Sequence, residues 1–395
     1  MKRMILSFAV ALFAVSYVQP QKAYAIKAWT NKQDVKCSVC HLGPPGGELT
    51  LYGQDFQRRG HSIAGDEVTK KFVEFFSFNA KLRFHDSNQR FSTFENHAFS
   101  IYGGGPISKH FSTFVELYFA ENRGKTTGAA NEDFNRTKLA DLYLEYISNR
   151  DKDVYTTVKF GQFSPSQLSL FWQMGPRSYQ TRPYIVNNAN VSPNTYRPFM
   201  RNSGIAVAQR VNNFHAEAGV LNGTGSSPTN SIDTNGKKDL FVTLDYTLDG
   251  YGSAAGVYGY KGRGYIVPSS GPAWENDFHR YGAFGKFRRS RFGLTGAVTR
   301  GQEQPTATRM RAHNLGVLAG LDVYASDWFT VFGRYDYFDP NVGKANDQLS
   351  GPVLGAAYRL FDSGRVTFEY HKQGKYVVAP AAKAREVLVE VAYMF

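Results

Sequence analysis

The chain has 395 residues, with 46 Lys and Arg against 33 Asp and Glu and a formal net charge of +13. Two cysteines are too few for a disulfide-stapled secreted scaffold, and the basic residues are scattered rather than clustered, which argues against a nucleic-acid-binding patch. Phe (31) and Tyr (24) are abundant, yet beyond the first residues no apolar run is long enough to span a bilayer as a helix.

Met1-Lys2-Arg3 reads as a basic n-region, Met4 to Val18 as an apolar h-region, and Ala23-Tyr24-Ala25 as a small-x-small cleavage site. Residues 1–25 are therefore expected to be a signal peptide, with the mature chain starting near Ile26. The h-region falls short of the roughly 18 to 20 residues that a membrane anchor needs.

Directly behind this leader stands Cys37-Ser38-Val39-Cys40-His41. C-x-x-C-H is the attachment motif of a c-type haem: two thiols three positions apart form thioethers to both vinyl groups, and the following imidazole reaches the iron. Both cysteines of the chain lie in it. A bare disulfide or half a zinc site are the alternatives, but no second C-x-x-C or close His pair accompanies the motif. The expectation is one covalent haem c on Cys37 and Cys40, with His41 as proximal ligand.

Residues 26–71 are too few to build a core alone, and covalent haem would act as a staple. Gly43-Pro44-Pro45-Gly46-Gly47 cannot be helical. From Glu48 to Arg59, Leu49, Tyr52 and Phe56 recur at helical spacing, which predicts an apolar stripe packing on the porphyrin. For the sixth ligand, His61 is the nearest imidazole. His85, His97 and His110 are other candidates, Met174 and Met200 would have to come from a distant loop, and water or an open position stays open.

From Phe72 to Phe395 the sequence becomes a succession of segments about ten residues long, alternating apolar with polar or small, separated by Gly, Asn, Asp, Ser and Pro. Val115, Leu117 and Phe119 oppose Phe114, Glu116 and Tyr118. Val154, Thr156, Val158 and Phe160 oppose Tyr155, Thr157 and Lys159. Leu240, Val242, Leu244 and Tyr246 oppose Phe241, Thr243 and Asp245, and Phe329, Val331, Gly333 and Tyr335 oppose Thr330, Phe332, Arg334 and Asp336. Sixteen strands are counted, near 73–84, 92–103, 111–121, 137–147, 154–163, 203–210, 214–222, 239–247, 253–261, 281–289, 291–300, 313–323, 328–338, 352–361, 364–373 and 385–395. An all-β transmembrane antiparallel barrel of about 16 strands fits this pattern, its aromatics forming interfacial girdles and its lumen wide enough to hold water.

Several details follow from that frame. Glu116, Asp141, Glu145, Glu217, Asp245, Asp336, Glu369 and Glu390 are predicted to face inward, balanced by Lys81, Arg83, Lys159, Arg334 and Arg365. Their carboxylates could attract cations, but polar lumen faces are usual in porins, and the second reading is preferred. Gly103 to Gly105 are read as a turn, not a nucleotide cradle. The connection from Ser164 to Asn202, carrying Trp172, Met174, Arg177, Arg182, Arg197, Met200 and Arg201, is too long for a turn and is expected to fold inward. Val387, Val389, Val391, Tyr393 and Phe395 form an apolar row ending on a terminal aromatic. That row resembles the closing strand of bacterial outer-membrane barrels and places the chain in the outer membrane.

Cys37-x-x-Cys40-His41, then Leu49-x-Leu51-Tyr52-Gly53-x-x-Phe56-x-x-x-Gly60, followed by a barrel, resembles the fused monohaem cytochrome–porin family of iron-oxidising bacteria. The family usually has an aromatic after this last glycine; here it is His61. The resemblance covers the mature chain in layout and residues 37–61 in motif. It implies an outer-membrane conduit that takes electrons from an extracellular donor, typically Fe(II), and hands them to a periplasmic c-type cytochrome or similar carrier. The other readings are a diffusion porin with a structural haem plug, anion-selective in character, or a conduit running outward. No catalytic triad, paired-carboxylate site or phosphate loop is present, so any enzyme label would rest on electron transfer alone.

Overall fold

The computed structural model describes residues 27–44, 48–88, 92–121, 138–165, 183–187, 194, 201–223, 236–266, 274–304, 311–361, 363–372 and 385–395. The expected signal peptide and most of the connection from Ser164 to Asn202, including Trp172, Met174, Arg177, Arg182, Arg197 and Met200, lie outside them. Four short helices come first: α1 (Lys27–Gln33), α2 (Cys37–Cys40), α3 (Leu51–Arg58) and α4 (Phe72–Phe75). Sixteen strands follow: β1 (Phe76–Ser87), β2 (Ser92–Pro106), β3 (Phe111–Glu121), β4 (Lys138–Ile147), β5 (Val154–Phe163), β6 (Asn202–Val211), β7 (Phe214–Leu221) and β8 (Asp239–Thr247), then β9 (Ala254–Ile266), β10 (Trp274–Arg289), β11 (Phe292–Glu303), β12 (Ala312–Ser326), β13 (Phe329–Asp339), β14 (Leu349–Phe361), β15 (Gly364–Lys372) and β16 (Arg385–Met394). One more short helix, α5 (Tyr184–Asn187), stands between β5 and β6.

Every strand pairs antiparallel with its sequence neighbours, and β1 pairs with β16 to close the ring. Phe395 completes the seam: its backbone N–H donates to the Phe78 carbonyl at 2.9 Å, and the Phe78 N–H donates to its carbonyl at 2.8 Å. Its ring stacks on Phe78 and Tyr393.

The alternation read from the sequence is the in–out alternation of the wall. Leu240, Val242, Leu244 and Tyr246 are exposed on the outside while Phe241, Thr243 and Asp245 are buried inside. All eight predicted inward carboxylates are buried, from Glu116 through Glu390. The architecture is an integral outer-membrane β-barrel; no described helix is long and apolar enough to cross a membrane, and the crossing is made by strands.

Where the strands differ from the sequence expectation, the cause is local. β1 begins at Phe76, not at 73, because Phe72–Phe75 makes a helical turn first. β10 starts seven residues earlier than expected, at Trp274. Its outer face there carries Glu275, Asp277 and His279, so the strand continues past the apolar band, where polarity no longer alternates. Arg263 on β9 pairs with Glu275 and Asp277 across that extension. Gly103 to Gly105 form no turn. They end β2, and a Cβ on Gly104 would stand 2.9 Å from the Phe114 ring and 3.4 Å from Trp29. Their bareness makes room for α1 against the wall.

Connections are short at the end where β1 begins and β16 finishes, such as Asn212-Asn213 between β6 and β7, and longer at the other. In such barrels the short turns face the periplasm. The described parts of the β5–β6 connection turn inward, as expected. Tyr184 Oη hydrogen-bonds His371 Nε2 at 2.9 Å, Ile185 packs with Phe284, Leu318 and Phe338, and Asn194 meets Arg280 and Asn314. Arg201 is paired with Glu116 and Asp141. Inward-facing Asp239, Asn276, Glu303, Thr367 and Glu369 are 0 % exposed, each packed against neighbouring side chains of the inner wall.

Deleting Phe395 removes two backbone bonds and an aromatic stack at the seam, on the order of 2–4 kcal/mol together. The truncated barrel is expected to lose its compact, heat-modifiable gel mobility at a lower denaturant concentration than the full chain.

Candidate functional site

The N-terminal segment, residues 27–71, sits in the short-turn mouth of the barrel. Cys37 and Cys40 occupy the two ends of α2, a single turn, so their side chains leave the backbone on the same side. Cys37 is buried, Cys40 is half-buried, and both are thiols. His41 follows immediately and forms a bridge with Leu49; Thr50 N donates to the Cys40 carbonyl at 2.9 Å. His41 and Leu49 therefore lie side by side, and α3 packs onto α2. A Cβ at Gly53 would collide with the Cys40 carbonyl, so only glycine permits this approach.

Thr50 caps α3, its hydroxyl accepting from Gly53 N at 3.1 Å. The expected helix from Glu48 to Arg59 is thus shorter, and Leu49 lies ahead of it in the bridge. Tyr52 and Phe56 remain one turn apart on α3. Gly60 (φ +67°) and His61 (φ +58°) are both left-handed. They reverse the chain sharply, and a bond from Ser62 N to the Phe56 carbonyl closes the end. A bulky residue rarely holds such a φ unless packing enforces it. The packing is an aromatic cluster: the His61 ring lies 4.5 Å from Trp29 and 4.7 Å from Phe114, near parallel to both, with Phe56 edge-on at 6.1 Å. His61 Nδ1 is buried without a hydrogen-bond partner among the described residues. Burial, helped by Lys159, lowers its pKa to about 3, so the imidazole is neutral at ordinary pH. Burial likewise pushes the Cys40 thiol up to about 11.

The segment is seated by charge. Glu48 pairs with Arg288 on β10, has Lys286 3.8 Å away, and accepts from Tyr324 Oη on β12 at 2.7 Å. Arg58 Nη2 meets Asp245 on β8 at 2.7 Å, whose other oxygen lies 2.9 Å from His215 Nδ1. Asp55 joins Arg210 on β6 at 2.9 Å and Arg59 at 2.7 Å, and Arg59 donates to the Lys152 carbonyl and to Asp153 in the β4–β5 turn. On the other side Trp29 Nε1 donates to the Gly104 carbonyl at 2.9 Å and Ala28 N to Ser77 Oγ at 2.8 Å. More than half the barrel circumference thus holds the segment.

Of the other candidate ligands, His110 lies in the β2–β3 turn with Nδ1 3.0 Å from the Ile147 carbonyl. His97 lies on the inner wall, 4.0 Å from Glu390, and His85 stands near the long-loop end of β1 between Glu95 and Glu386. Met174 and Met200 lie outside the described residues. Among the described residues no three His, Cys, Asp or Glu side chains stand at ligating distance as placed, which leaves zinc unsupported at the cysteine pair. The donor set does suit haem c: two thiols one turn apart, an adjacent imidazole, a second buried neutral imidazole with an unpaired edge, and an apolar lining of Trp29, Phe56 and Phe114. Trp29, Phe114 and the Glu48–Arg288 contact were not singled out from sequence, because each depends on a partner 75 or more residues away.

No protein-family model matches the chain, and no curated protein matches it in sequence. Solved structures do match. The chain is similar to OmpT of Vibrio cholerae at 11 % identity, over 83 % of this chain and 100 % of that one, with a TM-score of 0.58. It is also similar to the outer membrane channel DcaP of Acinetobacter baumannii (10 % identity, 83 % and 99 % covered, TM-score 0.57) and to an anion-selective porin from Comamonas acidovorans (10 %, 81 % and 98 %, 0.57). The fold is that of outer-membrane porins.

Glu48→Gln leaves Arg288 and Lys286 uncompensated in a buried setting, a change worth on the order of 3–5 kcal/mol. Faster amide exchange across residues 48–62, with exchange in β1–β16 unchanged, is the expected result by mass spectrometry.

Proposed function

We propose that this chain is an outer-membrane electron conduit: a barrel whose periplasmic mouth is filled by its own haem-bearing segment, passing electrons from an outside donor to a periplasmic carrier. The observation that carries the reading is the seating of Cys37, Cys40 and His41 inside the mouth. A segment placed there obstructs solutes, yet it puts a redox group where both compartments approach.

Haem c held at this place would supply a one-electron iron couple. Cys37 and Cys40 would anchor it and His41 would be its proximal ligand, with His61 the best-placed second imidazole. Trp29, Phe56 and Phe114 keep water from that imidazole, and Leu49 and Tyr52 line the approach between α2 and α3. Val39, within the motif, is exposed and offers a periplasmic c-type cytochrome an apolar landing point. The apolar band of such a barrel is about 25 Å tall, so a donor such as Fe(II) must enter the lumen from the long-loop side or be met partway across.

The second reading is a diffusion porin with a structural plug. Its support is the likeness to porins, one of them described as anion-selective, together with the basic balance of the chain.

Two measurements on the protein in liposomes separate them. A c-type absorption spectrum lost in the Cys37→Ser/Cys40→Ser variant, reduced by external Fe(II), and accompanied by low ion conductance is expected for the conduit. High conductance with no response to Fe(II) would establish the porin. Within the conduit reading, His61→Ala is expected to convert a low-spin spectrum to high-spin, and an unchanged low-spin spectrum would remove His61 as a ligand.

A further inference from the structure

We infer that the outward face of β9–β12, at the long-loop edge of the apolar band, binds the phosphate groups of a phosphorylated outer-leaflet glycolipid, lipopolysaccharide. The inference rests on the barrel and its orientation, and it is independent of the electron-conduit reading.

Strand register builds the surface. Lys261 on β9 stands opposite His279 on β10, His279 opposite Gln302 on β11, and Gln302 opposite His313 on β12. These four form one row across adjacent strands, about 14 Å long at three strand spacings of roughly 4.8 Å. Arg300 lies one outward position nearer the bilayer centre, between Tyr281 and Leu315, and Arg311 lies one outward position beyond His313. Lys261, His279, Arg300, Arg311 and His313 are all exposed, while the strand residues on either side of Lys261, His279, Arg300 and His313 are buried.

The height of the row on the wall is set by what lies below it. Val257, Val298 and Val317 are exposed on the same face toward the bilayer centre. Tyr281, 51 % exposed, has its ring near parallel to His279 at 6.2 Å, and tyrosine marks the boundary between hydrocarbon and headgroups. The cations therefore stand at headgroup level on the side opposite the short periplasmic turns.

Their charge is not balanced by the protein. Lys261, Arg300 and Arg311 have no ion-pair partner among the described residues. The outward carboxylates Glu275 and Asp277 lie farther from the band and are both taken by Arg263. Asp339 on β13, opposite Leu315, accepts from the Asn341 N–H and the Tyr337 hydroxyl. Like charges gathered on one sheet face repel, so the surface is completed by an anion from outside. A guanidinium binds phosphate oxygens in pairs, and an ammonium binds them as a point charge. The outer wall of a barrel is convex and gives a small free anion no enclosure. A lipid adds acyl chains that lie along Val257, Val298 and Val317, which decides for the glycolipid.

The test is equilibrium binding of fluorescently labelled rough-type lipopolysaccharide to the full chain in non-ionic detergent, read by anisotropy. Saturable binding that weakens as salt rises is expected. Lys261→Gln/Arg300→Gln/Arg311→Gln is expected to lose more than about tenfold in affinity, and removal of the lipid's phosphates to cost the parent about as much. Arg289→Gln/Arg291→Gln removes two exposed cations at the short-turn end and is expected to bind like the parent. Excess inorganic phosphate at matched ionic strength is expected to leave most of the lipid bound. Heat-modifiable mobility on an unboiled gel confirms that each variant is folded. Parental affinity in the folded triple variant, an equal loss in Arg289→Gln/Arg291→Gln, undiminished binding of the dephosphorylated lipid, or complete displacement by inorganic phosphate would overturn the assignment.

Discussion

Everything in this molecule depends on one constraint: inside hydrocarbon, a backbone N–H or C=O that finds no partner costs several kcal/mol. Sixteen strands meet it only as a ring, and the ring is closed by β1 against β16 with the terminal Phe395 as its last bonded residue. Closure fixes which face of each strand looks outward and therefore which residues share the interior. The ion pairs that hold the N-terminal segment, such as Arg58 with Asp245, exist because the ring brings β6, β8, β10 and β12 to one mouth.

The interior holds more than the wall itself. One end is occupied by residues 27–71, and α5 reaches in with Tyr184 and Ile185. Between them, acidic residues on the wall pair with cations: Glu390 with Arg83, Asp336 with Arg334, Glu303 with Arg280. Such buried pairs add little net stability, since desolvation offsets their attraction. They do fix where each charged side chain lies, because a misplaced partner would leave a buried charge uncompensated.

Much of this was legible in the sequence because a barrel wall has a two-residue period. Leu240 to Thr247 needs no context to be read as in–out, and β3, β5 and β8 were bounded to the residue. The reading weakened where that period carries no polarity contrast, as at Glu275, Asp277 and His279 above the apolar band, or at Gly103 to Gly105, where missing side chains serve a neighbour instead of a bend. At the proposed site, Cys37, Cys40 and His41 stand out in the sequence because their spacing is that of a haem-attachment motif. His61 was readable only as a nearby imidazole. Its packing against Trp29 and Phe114 needs a strand more than fifty residues later, and no local pattern announces it.

The depth at which Cys37 lies has a temporal meaning. With 0 % of its surface exposed, Cys37 offers no sulfur to a modifying enzyme once the segment is seated. Any thioether at Cys37 must be made while residues 27–71 are still outside the mouth. On the proposed reading, covalent chemistry comes first and seating of the segment second, and a barrel that takes in its segment unmodified would be shut against repair.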